Sequence, residues 1–194
     1  FNPDLLLTLT TTAAGEYPLN APPSPDDIVG SMTAALRVAP YNGDLWLTLA
    51  GAKAAQSALS GDVAADPYFQ NAVVYSYFRP DLLVRYSEHL KNRFSSAAAD
   101  TTAGRDYTLT EDQMTPEIEE VNCQIVRIAR LIDEICAVES PYCAGKGTDD
   151  NTTDYAFDNA ETLGLCEWEL TAGIRDLLLT PVDVGIGPSL FGQP

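Results

Sequence analysis

An all-α fold is what this sequence predicts, and three observations predict it. A phrase recurs along the first half: Asn2-Pro3-Asp4-Leu5-Leu6-Leu7-Thr8-Leu9, then Asn42-Gly43-Asp44-Leu45-Trp46-Leu47-Thr48-Leu49, then more faintly Pro80-Asp81-Leu82-Leu83-Val84-Arg85-Tyr86. Its aspartates, Asp4, Asp44 and Asp81, stand 40 and then 37 residues apart. Such a period suits stacked helical hairpins, because a single hairpin cannot bury its own apolar face. In the second half Ile118, Val121, Ile125, Ile128, Ile132 and Ile135 are spaced 3, 4, 3, 4, 3, the seam of a bundle helix. Helix starts are also written out, as Ser24-Pro25-Asp26-Asp27 and Thr115-Pro116-Glu117. Each pairs a capping hydroxyl with proline in the first turn and acids near the positive end of the dipole.

The elements follow in order. Residues 4–14 read as a first helix stopped at Gly15, and Pro18, Pro22, Pro23 and Pro25 make a non-helical connection. Ile28, Met32, Ala35 and Leu36 recur at helical spacing until Ala39-Pro40. Asn42 or Asp44 caps the next helix, which runs through Leu45, Leu49, Ala52 and Leu59 to Ser60-Gly61-Asp62. A helix is expected over 67–78, and another after Pro80 carries Leu82, Leu83, Tyr86 and Leu90 up to Phe94. Residues 100–112 are small and polar and read as a linker.

The helix opened by Thr115-Pro116 is expected to end at Ser140-Pro141. A second, over about 156–179, would present Leu163, Cys166, Leu170, Ile174 and Leu177 on one face. These two should form an antiparallel hairpin. The organisation expected is thus a repeat region over 1–99, a linker over 100–112, a helical hairpin over 113–180 and an extended tail over 181–194. That tail either lies against a neighbour or stays loose.

The first half resembles the tetratricopeptide family. Trp46, Leu49 and Ala50 match the opening of that family's helix A, and Ala35, Leu36 and Pro40 match the end of its helix B. The resemblance covers residues 1–94. The first unit departs from the pattern through the insert at 18–25, and the third lacks the small residues. It implies a superhelical surface that binds other protein chains, and it implies no reaction.

Composition narrows the partners. The 194 residues carry 28 acidic and 11 basic side chains, for a net charge of -17. That charge repels phosphate backbones and anionic headgroups, so nucleic acid and membrane surfaces are not expected partners. No run of about 18 apolar residues occurs, so no membrane insertion is expected. A first residue of Phe1 rather than Met reads as a processed product or a fragment.

Cys123, Cys136, Cys143 and Cys166 all lie in the second half, with no CxxC pair and only one histidine, His89. An even, clustered set favours two disulfides and an extracytoplasmic setting over a zinc site; buried free thiols are the alternative. Three pairings are possible. Axial level in an antiparallel hairpin favours Cys123–Cys166 with Cys136–Cys143, although Cys123 points away from the isoleucine seam.

Few residues suggest chemistry. Asp150, Thr152, Asp154 and Glu161 occupy positions 1, 3, 5 and 12 of a calcium-loop register, but position 6 is Tyr155 where glycine is needed. Asn151-Thr152-Thr153 is a glycosylation triplet. His89 has no nucleophile elbow beside it, and no phosphate or dinucleotide loop is present. No catalytic residue and no cofactor is therefore expected. Tyr68, Phe69, Tyr75, Tyr77 and Phe78 crowd the stretch before Pro80; they either fill core or form a sticky face. The expectation is a non-catalytic scaffold or assembly subunit that binds protein chains outside the cytoplasm. The alternative is a building block of an extracellular filament or a virion surface, made of identical subunits.

Overall fold

The computed structural model describes residues 23–60, 64–99, 109–137 and 160–186. The expected helix over 4–14 lies outside them. All regular structure among the described residues is helical, and Trp46 stands on a helix. The chain divides into two units. Described residues up to Tyr77 together with those from Thr180 onward form the first, and Phe78–Leu179 belong to the second.

In the first unit, α1 (Pro25–Val38), α2 (Gly43–Ser60) and α3 (Asp66–Tyr75) follow one another, with α2 packed against both others. The Ser24 hydroxyl accepts from the Asp27 N–H and the Asp27 carboxylate accepts from the Ser24 N–H, a reciprocal cap that fixes where α1 begins. It stops at Val38, because the residue before Pro40 is driven out of the helical region. Asn42 Oδ1 then accepts from the N–H groups of Asp44 and Leu45, at 3.0 and 3.3 Å, and opens α2.

Pairwise contacts set the directions. Gln56 reaches Asp26, and the Trp46 indole N–H donates to the Pro40 carbonyl at 2.7 Å, so α1 and α2 are antiparallel. Lys53 sits over the Tyr68 ring while Trp46 stacks on Tyr75, so α2 and α3 are antiparallel as well. Met32, Ala35, Leu36, Leu45, Trp46, Leu49, Ala50, Phe69, Ala72 and Val73 are buried.

Gly43 shows how closely α2 meets α3. A Cβ built there would stand 2.7 Å from Ser76 Cβ and 2.8 Å from the Ala72 carbonyl oxygen. Backbone cannot yield as a flexible side-chain tip does. We expect Gly43→Ala to lower the unfolding free energy by about 1–3 kcal/mol in denaturant titrations, despite alanine's better helix propensity.

In the second unit, α4 (Pro80–Ala99) and α5 (Pro116–Cys136) pack side by side. Arg93 meets Glu117 at 3.7 Å near one end, and Tyr86 lies near Arg127 further along, so the two run antiparallel. Leu82, Leu83, Tyr86, Leu90 and Phe94 of α4 are buried, as are Ile118, Val121, Ile125, Ile128 and Ile132 of α5. The Thr115 cap and Pro116 open α5 as the sequence indicates. It ends at Cys136, short of the expected Ser140-Pro141.

The division between the units falls at Tyr77–Phe78, whereas the sequence suggests a linker over 100–112. The apolar stripe of α4 is covered by the α5 seam, so α4 belongs with the second half. Tyr77 and Phe78 have φ of +56° and +58°, consecutive left-handed residues without glycine, each costing on the order of 1–2 kcal/mol.

The helix expected over 156–179 is also broken. A helical turn at 160–162 ends at Gly164, whose φ is +66°. The Leu165 N–H bonds the Ala160 carbonyl and the Gly164 N–H bonds that of Glu161, the paired bonds of a Schellman stop. Cys166 follows with φ +55°, and only short α6 (Glu167–Thr171) and α7 (Ile174–Leu177) remain. Nor is the hairpin antiparallel here. Contacts advance from Cys123–Cys166 to Arg130 against Glu169 and Ala172, in the same sense as α5, before the chain turns back to Arg127.

Candidate functional site: a surface that holds an extended segment

The best-formed recognition geometry lies in the first unit, on α3. Residues 180–184 run extended there before a turn at Gly185, with Val182, Val184 and Ile186 half-buried and Pro181, Asp183 and Gly185 exposed in alternation. Asn71, fully buried on α3, grips this strap by its backbone. Its Nδ2 donates to the Val182 carbonyl at 2.8 Å, and its Oδ1 accepts from the Val182 N–H at 2.7 Å. A carboxamide carries one donor edge and one acceptor edge, so it pairs with the N–H and C=O of a single residue as a neighbouring antiparallel strand would. Gln70 Nε2 adds a bond to the Thr180 carbonyl at 2.7 Å.

Asp183 lies near Tyr75. The order 70–180, 71–182, 75–183 shows that the strap runs in the same sense as α3. The strap ends where Asp183 accepts from the Gly185 N–H at 2.9 Å, in a turn that Gly185 makes with φ +71°.

Aromatic rings back this surface. Trp46 stacks on Tyr75 with centroids 5.8 Å apart, Tyr41 meets Tyr75 edge-on at 5.5 Å, and Tyr68 lies 6.4 Å from Trp46. Burial pushes the Tyr75 phenol above its ordinary 10.0, with Tyr41 and Asp183 adding to the rise. A raised phenol pKa stabilises the fold below pH 10, and that stability is lost as pH climbs through the folded-state value. We therefore expect Tyr75 to ionise above pH 10 in a tyrosinate absorbance titration, with the first unit weakening as it does. Tyr75→Phe should remove that component.

The five aromatic candidates thus part company. Tyr68 and Tyr75 line the Trp46 cluster, and Phe69 is 7% exposed and offers no surface. Tyr77 is 93% exposed, and Phe78 is half-buried in the second unit.

In the second unit the Cys123–Cys166 bridge is present, spanning 43 residues. Cys136 is disulfide-bonded as well; Cys143, its expected partner, lies outside the described residues. Two arginines on α5 organise the segment beyond the bridge. Arg127 donates to the carbonyls of Leu177 and Leu178 at 2.7 and 3.0 Å and lies 5.3 Å from the Trp168 ring. Arg130 donates to those of Glu169 and Ala172. They satisfy the final carbonyls of two helices too short to have strong dipoles. Burial lowers the Arg127 pKa from its usual value.

Of the calcium candidates, Asp150 and Asp154 lie outside the described residues and Glu161 is exposed. Among the described residues, one cluster brings together metal-ligating side-chain types, Cys123, Cys166 and Glu169. Its two sulfurs are bonded to each other, so neither is a thiolate able to ligate. His89 is half-buried on α4. No helix among the described residues is long and apolar enough to cross a membrane. Neither a protein-family model, nor a curated protein, nor a solved structure matches this chain.

Asn71 and Gln70 were not legible as site residues. The signal was there: a carboxamide between Phe69 and Ala72, on the helix face that must be buried, demands a polar partner.

Proposed function

We propose that this protein is a non-catalytic scaffold that binds extended segments of protein chains on its first helical unit and works outside the cytoplasm. One observation carries the reading: Asn71 pairs both hydrogen-bonding edges with the backbone of Val182. Main-chain hydrogen bonds from a buried carboxamide, to a segment whose alternate side chains are half-buried, follow the logic of peptide capture by strand addition, in which main-chain bonds give affinity. The antiparallel order of α1, α2 and α3, together with the buried Ala35, Leu36, Trp46, Leu49 and Ala50, fits the tetratricopeptide-like arrangement expected from the sequence. The Cys123–Cys166 bridge supports an oxidising compartment.

The test is isolation of the native chain under mild conditions. The expected result is a partner polypeptide, identical or different, at fixed stoichiometry and released by Asn71→Leu. A chain that isolates alone and turns over a small molecule, with turnover abolished by His89→Ala, would overturn the reading.

A further inference from the structure

Resting on that reading, we infer that the occupant of the α3 surface is interchangeable between copies: residues 180–186 of a second copy of this chain dock where the chain's own strap lies.

The surface already displays its ligand. It reads Thr180 and Val182 through backbone groups, while Val182, Val184 and Ile186 are half-buried. A second copy carries the same seven residues, so every bond made within one chain is remade between two. No helix need unfold for the strap to leave, because it has no internal ladder; among the described residues three side-chain-to-backbone bonds and the half-burial of alternate side chains hold it.

Connectivity supplies the opportunity. The strap counts with the first unit, yet the residue before it, Leu179, belongs to the second. The two units are otherwise joined covalently only at Tyr77–Phe78, where both residues hold positive φ. Letting these two relax into ordinary backbone conformations would relieve the strain at that connection, and a strap released from its own α3 can then reach a neighbour. Reciprocal exchange closes a two-fold dimer. The opposing force is charge, since two chains of net charge -17 repel each other. Exchange should therefore strengthen as salt screens that repulsion.

Two measurements on the full-length, oxidised chain decide it. First, a fluorophore-labelled peptide of residues 180–186 is titrated with the protein and followed by anisotropy. We expect saturable binding, weakened about tenfold or more by Asn71→Leu in the protein. The same loss is expected from Val182→Pro in the peptide, which deletes the N–H that Asn71 accepts. The peptide change leaves the protein untouched, so the test stands even if Asn71→Leu folds poorly. Absence of saturable binding overturns the inference.

Second, the protein is refolded at high concentration and raised salt with its disulfides intact, and its mass is measured by light scattering. A two-chain species that excess peptide converts to single chains is the expected result. A single-chain mass throughout, with peptide binding intact, overturns the second-copy assignment while leaving capture of a different chain standing. So does a dimer that the peptide cannot dissolve.

Discussion

Replacing Cys123 and Cys166 together with alanine is expected to lower the unfolding free energy of the second unit by about 4 kcal/mol. The bridge spans 43 residues, and restricting a loop of that length in the unfolded chain gives this magnitude in the chain-entropy account. The bridge is needed because little else fixes the segment after Gly164. That stretch has two short helices, with no long apolar stripe, and relies on Arg127 and Arg130 to satisfy its carbonyls. Without the covalent tie, each of those bonds must repay chain entropy unaided. Calorimetry checks the prediction: the transition of the second unit should fall by many degrees while that of the first stays in place. Equal shifts in every transition would contradict it.

The second large effect lies in the other unit. Trp46→Ala should cost about 3–5 kcal/mol, the range for emptying a large buried aromatic site. Trp46 is 2% exposed, donates to the Pro40 carbonyl and stacks on Tyr75. Its loss removes packing from α2 and α3 together with the bond that holds the α1–α2 turn. Trp46→Phe separates these contributions. It keeps a ring against Tyr75 but leaves the Pro40 carbonyl without its donor, for about 1–2 kcal/mol. Chemical denaturation followed by circular dichroism checks both variants. A loss below 1 kcal/mol for Trp46→Ala would mean that the cluster is not the core of that unit.

How far the fold was legible depends on how local its determinants are. Ser24-Pro25, Asn42 and Thr115-Pro116 fix helix starts through bonds made within three residues, so reading them needs no tertiary knowledge. The α5 seam was equally plain, since its period is a property of one helix. What covers that seam was not plain. Repetition assigned residues 80–94 to the first half, whereas the apolar stripe of α4 found its complement on α5. Phrase similarity records local helix grammar and says nothing about which faces meet.

The broken arm after residue 160 was misread for a different reason. Leu163, Leu170, Ile174 and Leu177 do recur at helical spacing, and that spacing runs straight across Gly164. A glycine followed by an apolar residue is also a helix stop, and here the stop prevailed because Cys166 must turn back toward Cys123. The candidate site was the least legible part. The strap and α3 are about a hundred residues apart in sequence, and no single-chain periodicity links a carboxamide at 71 with a peptide unit at 182.

The position of Tyr77 has a consequence for protease resistance. This ring is 93% exposed at the junction, beside a backbone that sits uneasily in its conformation. An enzyme that cuts after aromatic residues would find a target there. Yet a nick at Tyr77 would not by itself set the N-terminal piece free, because the fragment downstream still carries Thr180 and Val182, whose backbone Gln70 and Asn71 hold.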